Sequence, residues 1–325
     1  MTTNGQFISY GLMSKTAIDG SRPAARARRS ATAILPAVLI FSLAFAFPAN
    51  AQQARRLWDT QLIQQSKAQT GASPKAAKKA STKTASAEPA PVYTTPDAAA
   101  EPLTENDAIV GITVWNLRPA KSSGEVTLRD KAKKIEWTPE RIEAQTPLDE
   151  GAQVRLSIEA PREGYLYVID REQYADGSAG DPYLIFPTTR TAGGDNKVVS
   201  GRVIEVPAQE DNPPYFTLDR RRKDQTAELI QIIVSAEPLP GIKIGRNALK
   251  LSNEQVAEWD SKWGGKAERF DLAEGAGKPW TKAEKEAGLR TRLLVQEEPM
   301  PQTLYRIPAE PGQPVMIQVP LTIVE

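Results

Sequence analysis

Histidine and cysteine are both absent from the 325 residues. Without them the chain has no access to Ser-His-Asp triads, cysteine nucleophiles, His/Cys zinc sites, thiolate-held iron–sulfur clusters or histidine-ligated haem. Disulfides are excluded too, so stability rests on burial and hydrogen bonding alone. An excess of one charge is also missing: 41 Lys+Arg stand against 40 Asp+Glu, which excludes a basic surface on the scale that nucleic acid needs. Catalytic signatures that need neither His nor Cys are absent as well. There is no S-x-x-K, no G-x-S-x-G and no G-x-x-x-x-G-K-[ST]. What remains is 40% hydrophobic residues and 25% charged, an ordinary composition for a chain that buries a core.

The longest apolar run, Ile34 to Phe47, falls short of the roughly 20 residues of a membrane span and contains Pro36. Arg22, Arg26, Arg28 and Arg29 precede it and Pro48-Ala49-Asn50-Ala51 follows, the pattern of a signal peptide cleaved after Ala51. Residues 1–51 are therefore expected to be a leader. The mature protein is then periplasmic or secreted and has no transmembrane anchor. Removing five basic residues and one acidic one leaves 36 against 39, a net charge of −3.

Residues 52–106 open with a stretch, 53–65, whose Leu57, Trp58, Leu62 and Ile63 predict a short helix. They continue as an Ala/Lys/Pro/Ser/Thr-rich stretch with almost no large apolar side chain. Such a composition buries too little surface to offset chain entropy and predicts a disordered tether. Its lysines, Lys67, Lys75, Lys78, Lys79 and Lys83, read either as a solubilising run or as a contact for an anionic surface.

From 107 to 325 the pattern is that of short strands. Residues 109–115, 154–158, 165–169, 183–186, 202–206 and 228–234 are β-branched or alternating, and Gly/Pro/Asn/Asp clusters separate them. The turn Pro161–Gly164 suggests a hairpin. The nearly continuous run 228–234 suggests a central strand covered on both faces. Strict alternation over 314–324 predicts a final strand, placed by Pro320 at an edge or bulge. A helical insertion is expected at about 250–290: Ser252 and Gln255 form one capping box, Thr281 and Glu284 another, and Gly288 reads as a left-handed C-cap. The fold class is mainly β, a β-sandwich of short strands with a small late helical insertion.

The order GYLYVI (164–169), LIFP (184–187), GDN (194–196) and IEVP (204–207), followed by ELIQIIVSAEPLP (228–240), resembles the exported form of the domain-of-unknown-function family 4384. The core of the likeness spans 151–240, and flanking pieces at 111–118, 275–288 and 301–312 extend it. What the resemblance implies is an accessory module without an established activity, carried alone behind a signal peptide and served by a partner on another chain.

Candidate sites are few. Asp170, Asp176, Asp181, Asp195 and Asn196 fall in Asp/Gly-rich loops between 170 and 201. Oxygen ligands in such loops suit calcium, although the same residues serve as turn formers and the spacing is not that of an EF-hand. No other cofactor is suggested. Tyr174, Trp259 and the row Arg220, Arg221 and Arg222 are candidates for contact with a partner, against the alternatives of core packing and a solvated turn. The leading expectation is a non-enzymatic exported binding or scaffold module with a protein partner in the cell envelope and no nucleic-acid partner. A glycan or cell-wall binder using exposed aromatics is the alternative. A carboxylate-dependent hydrolase is a second alternative, although no spacing among Glu159, Glu163, Asp170 and Glu172 selects a pair.

Overall fold

The computed structural model describes residues 93–94, 107–289, 294 and 299–324. The predicted leader, the helix at 53–65 and the lysine run lie outside them. In chain order the first elements are β1 (Tyr93–Thr94), β2 (Asp107–Pro119), β3 (Leu128–Asp130), β4 (Ile135–Ile142), β5 (Leu148–Asp149) and β6 (Gln153–Glu159). Then come β7 (Gly164–Tyr174), β8 (Tyr183–Phe186), β9 (Lys197–Val198), β10 (Val203–Val206), β11 (Phe216–Thr217) and β12 (Gln225–Ser235). The chain continues with β13 (Leu249–Lys250), α1 (Asn253–Trp263), β14 (Glu268–Leu272), α2 (Lys282–Ala287), β15 (Thr303–Pro308) and β16 (Val315–Val324). The fold is thus mainly β, with two sheets and little helix. No helix among the described residues is long and apolar enough to cross a membrane.

The first sheet, of nine strands, is organised by β2. One edge of β2 pairs with β6, and the other pairs with β15 along Asp107–Ile112 and then with β4 along Val114–Pro119. Beyond β6 lie β10 and β11, and beyond β15 lie β14 and then β1. Tyr93–Thr94, inside the stretch read as a tether, is therefore bound to a sheet edge. The second sheet, of seven strands, runs β13-β8-β7-β12-β16-β5, with β9 also on β7.

Alternation builds the core. Val110, Ile112 and Val114 of β2, Leu156 and Ile158 of β6, and Ile204 of β10 meet Leu166 and Val168 of β7, Ile230 and Ile232 of β12, and Ile317 and Val319 of β16. Apolar burial at roughly 25 cal/mol per Å2 makes this inter-sheet layer the main source of stability. A second cluster covers the outer face of the second sheet, where Val256 and Trp259 of α1 pack on Tyr167, Ile169 and Ile233. β12 is thus apolar on both faces between two neighbours, as its continuous run predicts. β16 pairs with β12 along its length and with β5 only at Ile323 and Val324, which leaves Pro320 on an edge with no strand partner among the described residues on that side.

Three local expectations are corrected. Pro161–Gly164 does not close a hairpin but carries the chain from one sheet to the other. Both edges of β6 are occupied by β2 and by β10 and β11, and both edges of β7 by β8 and β9 and by β12, so the two strands cannot pair with each other. Second, β7 does not end at Ile169 but runs to Tyr174, held by pairing of Asp170–Tyr174 with β12. Asp170 is accordingly a strand residue rather than a loop residue. Third, Gly288 ends α2 in a right-handed conformation, with φ −65 and ψ −16. Thr281 and Glu284 form the full reciprocal box as predicted, while of the box expected at Ser252 and Gln255 the structure shows the N-cap half, Ser252 accepting from the Gln255 N–H.

Candidate functional site: an acidic cleft between the sheets

The inward positions of the second sheet change character at one end. On β7 the inward series is Leu166, Val168, Asp170, Glu172, and on β12 it is Val234, Ile232, Ile230, Glu228. Registration places Asp170 opposite Ile230 and Glu172 opposite Glu228. Asp170 and Glu228 are therefore diagonal neighbours on one face, and their carboxyl groups are close enough to share a proton.

Each acid is held by its surroundings. Glu172 Oε1 accepts from Arg221 Nη1 at 2.9 Å, and Glu228 Oε1 accepts from Gln225 Nε2 at 2.9 Å. Asp170 Oδ1 and Glu228 Oε2 are buried and receive no other donor among the described residues. Two carboxyl oxygens in contact are both satisfied only when one of them carries a proton. Burial raises both carboxyls above their ordinary values, and the charge of Asp170 raises Glu228 further.

Acids facing inward cannot pack dry against the opposite sheet, and a cavity of about 220 Å3 opens there. Its far wall is apolar, made of Val154, Leu156, Phe216 and Leu218. The near wall is Asp170, Ile185, Glu228, Ile230 and Leu321, and the exposed residues Thr217, Asp219 and Arg221 form the mouth. Chemically the cleft offers a proton shared by two acids, two oxygens able to receive a cation once that proton leaves, and an apolar wall 154–218 facing them.

The residues singled out from sequence are dispersed around this cleft. Asp170 lines it. Asp176 accepts from the Ser178 N–H at 2.9 Å, Asp181 pairs with Lys250, and Asp195 accepts from the Lys197 N–H at 3.1 Å. Asn196 is buried and donates to the Leu166 carbonyl at 3.0 Å. Each of these four is committed to a local or structural bond rather than converging with the others, and no group of three or more acidic residues able to hold a metal occurs among the described residues. Arg221 reaches Glu172 at the cleft mouth, Arg220 donates to the Ile323 carbonyl, and Arg222 lies 3.9 Å over the half-buried Tyr174 ring while pairing with Asp224. Trp259, on the face of α1 that packs on the second sheet, is 6% exposed and stacks on Trp263. Trp115, Trp137 and Trp280 are likewise buried, on the outer face of the first sheet.

Glu228 was not singled out from sequence, because it heads an apolar run and reads as the polar end of a strand. Its signal was the parity it shares with Ile230, Ile232 and Val234. No family model, curated protein or solved structure matches the chain.

Proposed function

We propose that the protein is a non-enzymatic binding module, exported to the cell envelope or beyond and accessory to a protein partner, and that the cleft between the sheets is the part that binds. The observation carrying this reading is the open cleft lined by two neighbouring carboxyl groups, Asp170 and Glu228. Glycoside hydrolysis needs its two carboxyls about 5–5.5 Å or about 6.5–9.5 Å apart, with room for a sugar or a water between them. A pair close enough to share a proton leaves no such room, so the same acids favour holding over hydrolysis. The buried tryptophans offer no row for stacking sugar rings, which favours a protein partner over a glycan. Export rests on the leader pattern of residues 1–51, and the likeness to an accessory family fits a module that serves another chain.

The test is site-specific photo-crosslinking in cells expressing the full chain, with the probe at Phe216 in the cleft wall. One reproducible adduct is expected from 216, none from the exposed Lys262 on α1, and loss of the adduct in an Asp170→Asn/Glu228→Gln variant. Absence of any adduct from 216 would overturn the reading. Fractionation of the same cells checks export.

A further inference from the structure

We propose that the cleft recognises a primary ammonium group carried on a short apolar stem, with the nitrogen on the cavity side of Asp170 and Glu228, reaching one oxygen of each; this rests on the cleft being the binding surface. Two buried oxygens point to that chemistry. Glu228 is 8% exposed, lines the cavity, and presents an Oε2 that no donor among the described residues reaches. Asp170 Oδ1 is in the same position. Only the proton shared between them satisfies these two oxygens, so once it leaves both are buried acceptors without a donor, and the pair is poised for a ligand that brings one.

The number of free oxygens selects the kind of cation. Gln225 already occupies Oε1 of Glu228, so that residue offers one oxygen rather than a two-oxygen edge. A guanidinium prefers to grip both oxygens of one carboxylate with its planar fork, whereas an ammonium is a compact charge whose donors can reach one oxygen from each of two groups. Calcium wants six to eight oxygens, which an apolar wall of Val154, Leu156 and Phe216 does not supply. That wall suits methylene groups. The volume of about 220 Å3 holds at least about seven water-sized groups, enough for a nitrogen and a four- or five-carbon stem.

Binding exchanges one positive charge for another. The empty pair shares a proton. As the ammonium enters, that proton leaves to solvent, and no covalent bond changes. The charged groups facing the pair are Glu172 from β7 and Arg221 and Asp219 at the mouth, while among the described residues the first sheet lines the cavity with no charged side chain. Affinity therefore rises with pH over the range in which the pair would otherwise keep its proton.

Calorimetry on the full chain with n-butylammonium, and with 1-butanol as the neutral comparison, tests this. Saturable binding of the amine is expected, at least about tenfold tighter than the alcohol, strengthening from about pH 6 to about pH 8.5. Its heat should depend on the buffer in the way proton release demands. Glu228→Gln and Asp170→Asn keep the shape of the wall and, with thermal melting confirming that they fold, should each weaken amine binding about tenfold. Equal binding of amine and alcohol, or amine binding unchanged by both variants, would overturn the inference. Nα-acetyl-lysine methylamide binding as well as cadaverine identifies a partner's lysine as the source, and cadaverine alone identifies a free amine; either outcome supports the chemistry. Loss of the amine result with the adduct from Phe216 retained would overturn the ammonium inference alone, and an amine result without any adduct would overturn only the protein partner.

Discussion

Gly288, the residue that ends α2, lies so close to the carboxyl group of Glu205 that a Cβ on it would overlap that group. Its backbone is right-handed, so any residue could adopt the conformation, and what selects glycine is the approach. Glu205 cannot step aside. Its side chain is 1% exposed and its Oε2 accepts from Arg155 Nη2 at 2.7 Å. Gly288→Ala should therefore cost roughly 2 kcal/mol through overpacking. Chemical denaturation would register it, and a midpoint equal to the parent's would show that the end of α2 yields instead.

The partner of Glu205 gives a second prediction. Arg155 is fully buried, lies 5.3 Å from the Trp280 ring centroid, and has Nε and Nη1 without partners among the described residues. Burial pushes the Glu205 carboxyl up and the Arg155 guanidinium down, so desolvation outweighs the attraction between them. Glu205→Leu alone strands a buried charge and should cost about 3–5 kcal/mol. Arg155→Met together with Glu205→Leu should recover most of that loss. Unfolding free energies of the two singles and the double, taken as a cycle, decide it, and strict additivity would show that the two side chains do not act as a pair.

Thr281 is a smaller and cleaner case. Its hydroxyl accepts from the Glu284 N–H at 3.2 Å, while Glu284 reaches back to the Thr281 N–H and also receives Arg141 Nε at 2.9 Å. The cap thus fixes the carboxylate that ties the 281–288 segment to β4. Thr281→Ala should destabilise by about 1 kcal/mol. Hydrogen exchange should show the loss concentrated in 281–288, and uniform loss across the domain would argue against a local role.

These positions show what alternation in the sequence reveals and what it hides. Strand periods locate β2, β6, β8, β10, β12 and β16 to within a few residues, because one buried face writes itself into every second position. Pairing partners are not written that way. Pro161–Gly164 carries good turn chemistry, yet the occupied edges of β6 and β7 send the two strands to different sheets. Helix caps are legible because they are local hydrogen bonds between residues three apart. Gly288 is legible as punctuation, whereas its contact with Glu205, 83 residues away in the chain, is not. The cleft lies between these extremes. Asp170 and Glu228 each break an inward-facing apolar series, which parity alone exposes, but only registration between β7 and β12 shows that the two breaks meet.

That meeting makes stability depend on pH in a direction opposite to the usual carboxylate. Burial first, and then the charge of Asp170, raise Glu228 from its ordinary 4.5 to about 8. Between those values the folded protein holds a proton that the unfolded chain has released. Stability therefore falls as pH rises through that window and levels off above it. Below about pH 4.5 both states are protonated there and the residue contributes nothing to the slope. Glu228→Gln keeps the shape and the bond from Gln225 but cannot ionise. The variant should match the parent near pH 4 and exceed it by on the order of 2 kcal/mol near pH 9, the gap opening steadily in between. Asp170 contributes in the same sense from the other side of the shared proton, so Asp170→Asn should flatten the profile as well, and the two effects should be less than additive because one proton serves both acids. Denaturation curves of the parent and both variants across this range are the measurement. Parallel profiles for parent and Glu228→Gln would show that the proton is not held between Asp170 and Glu228.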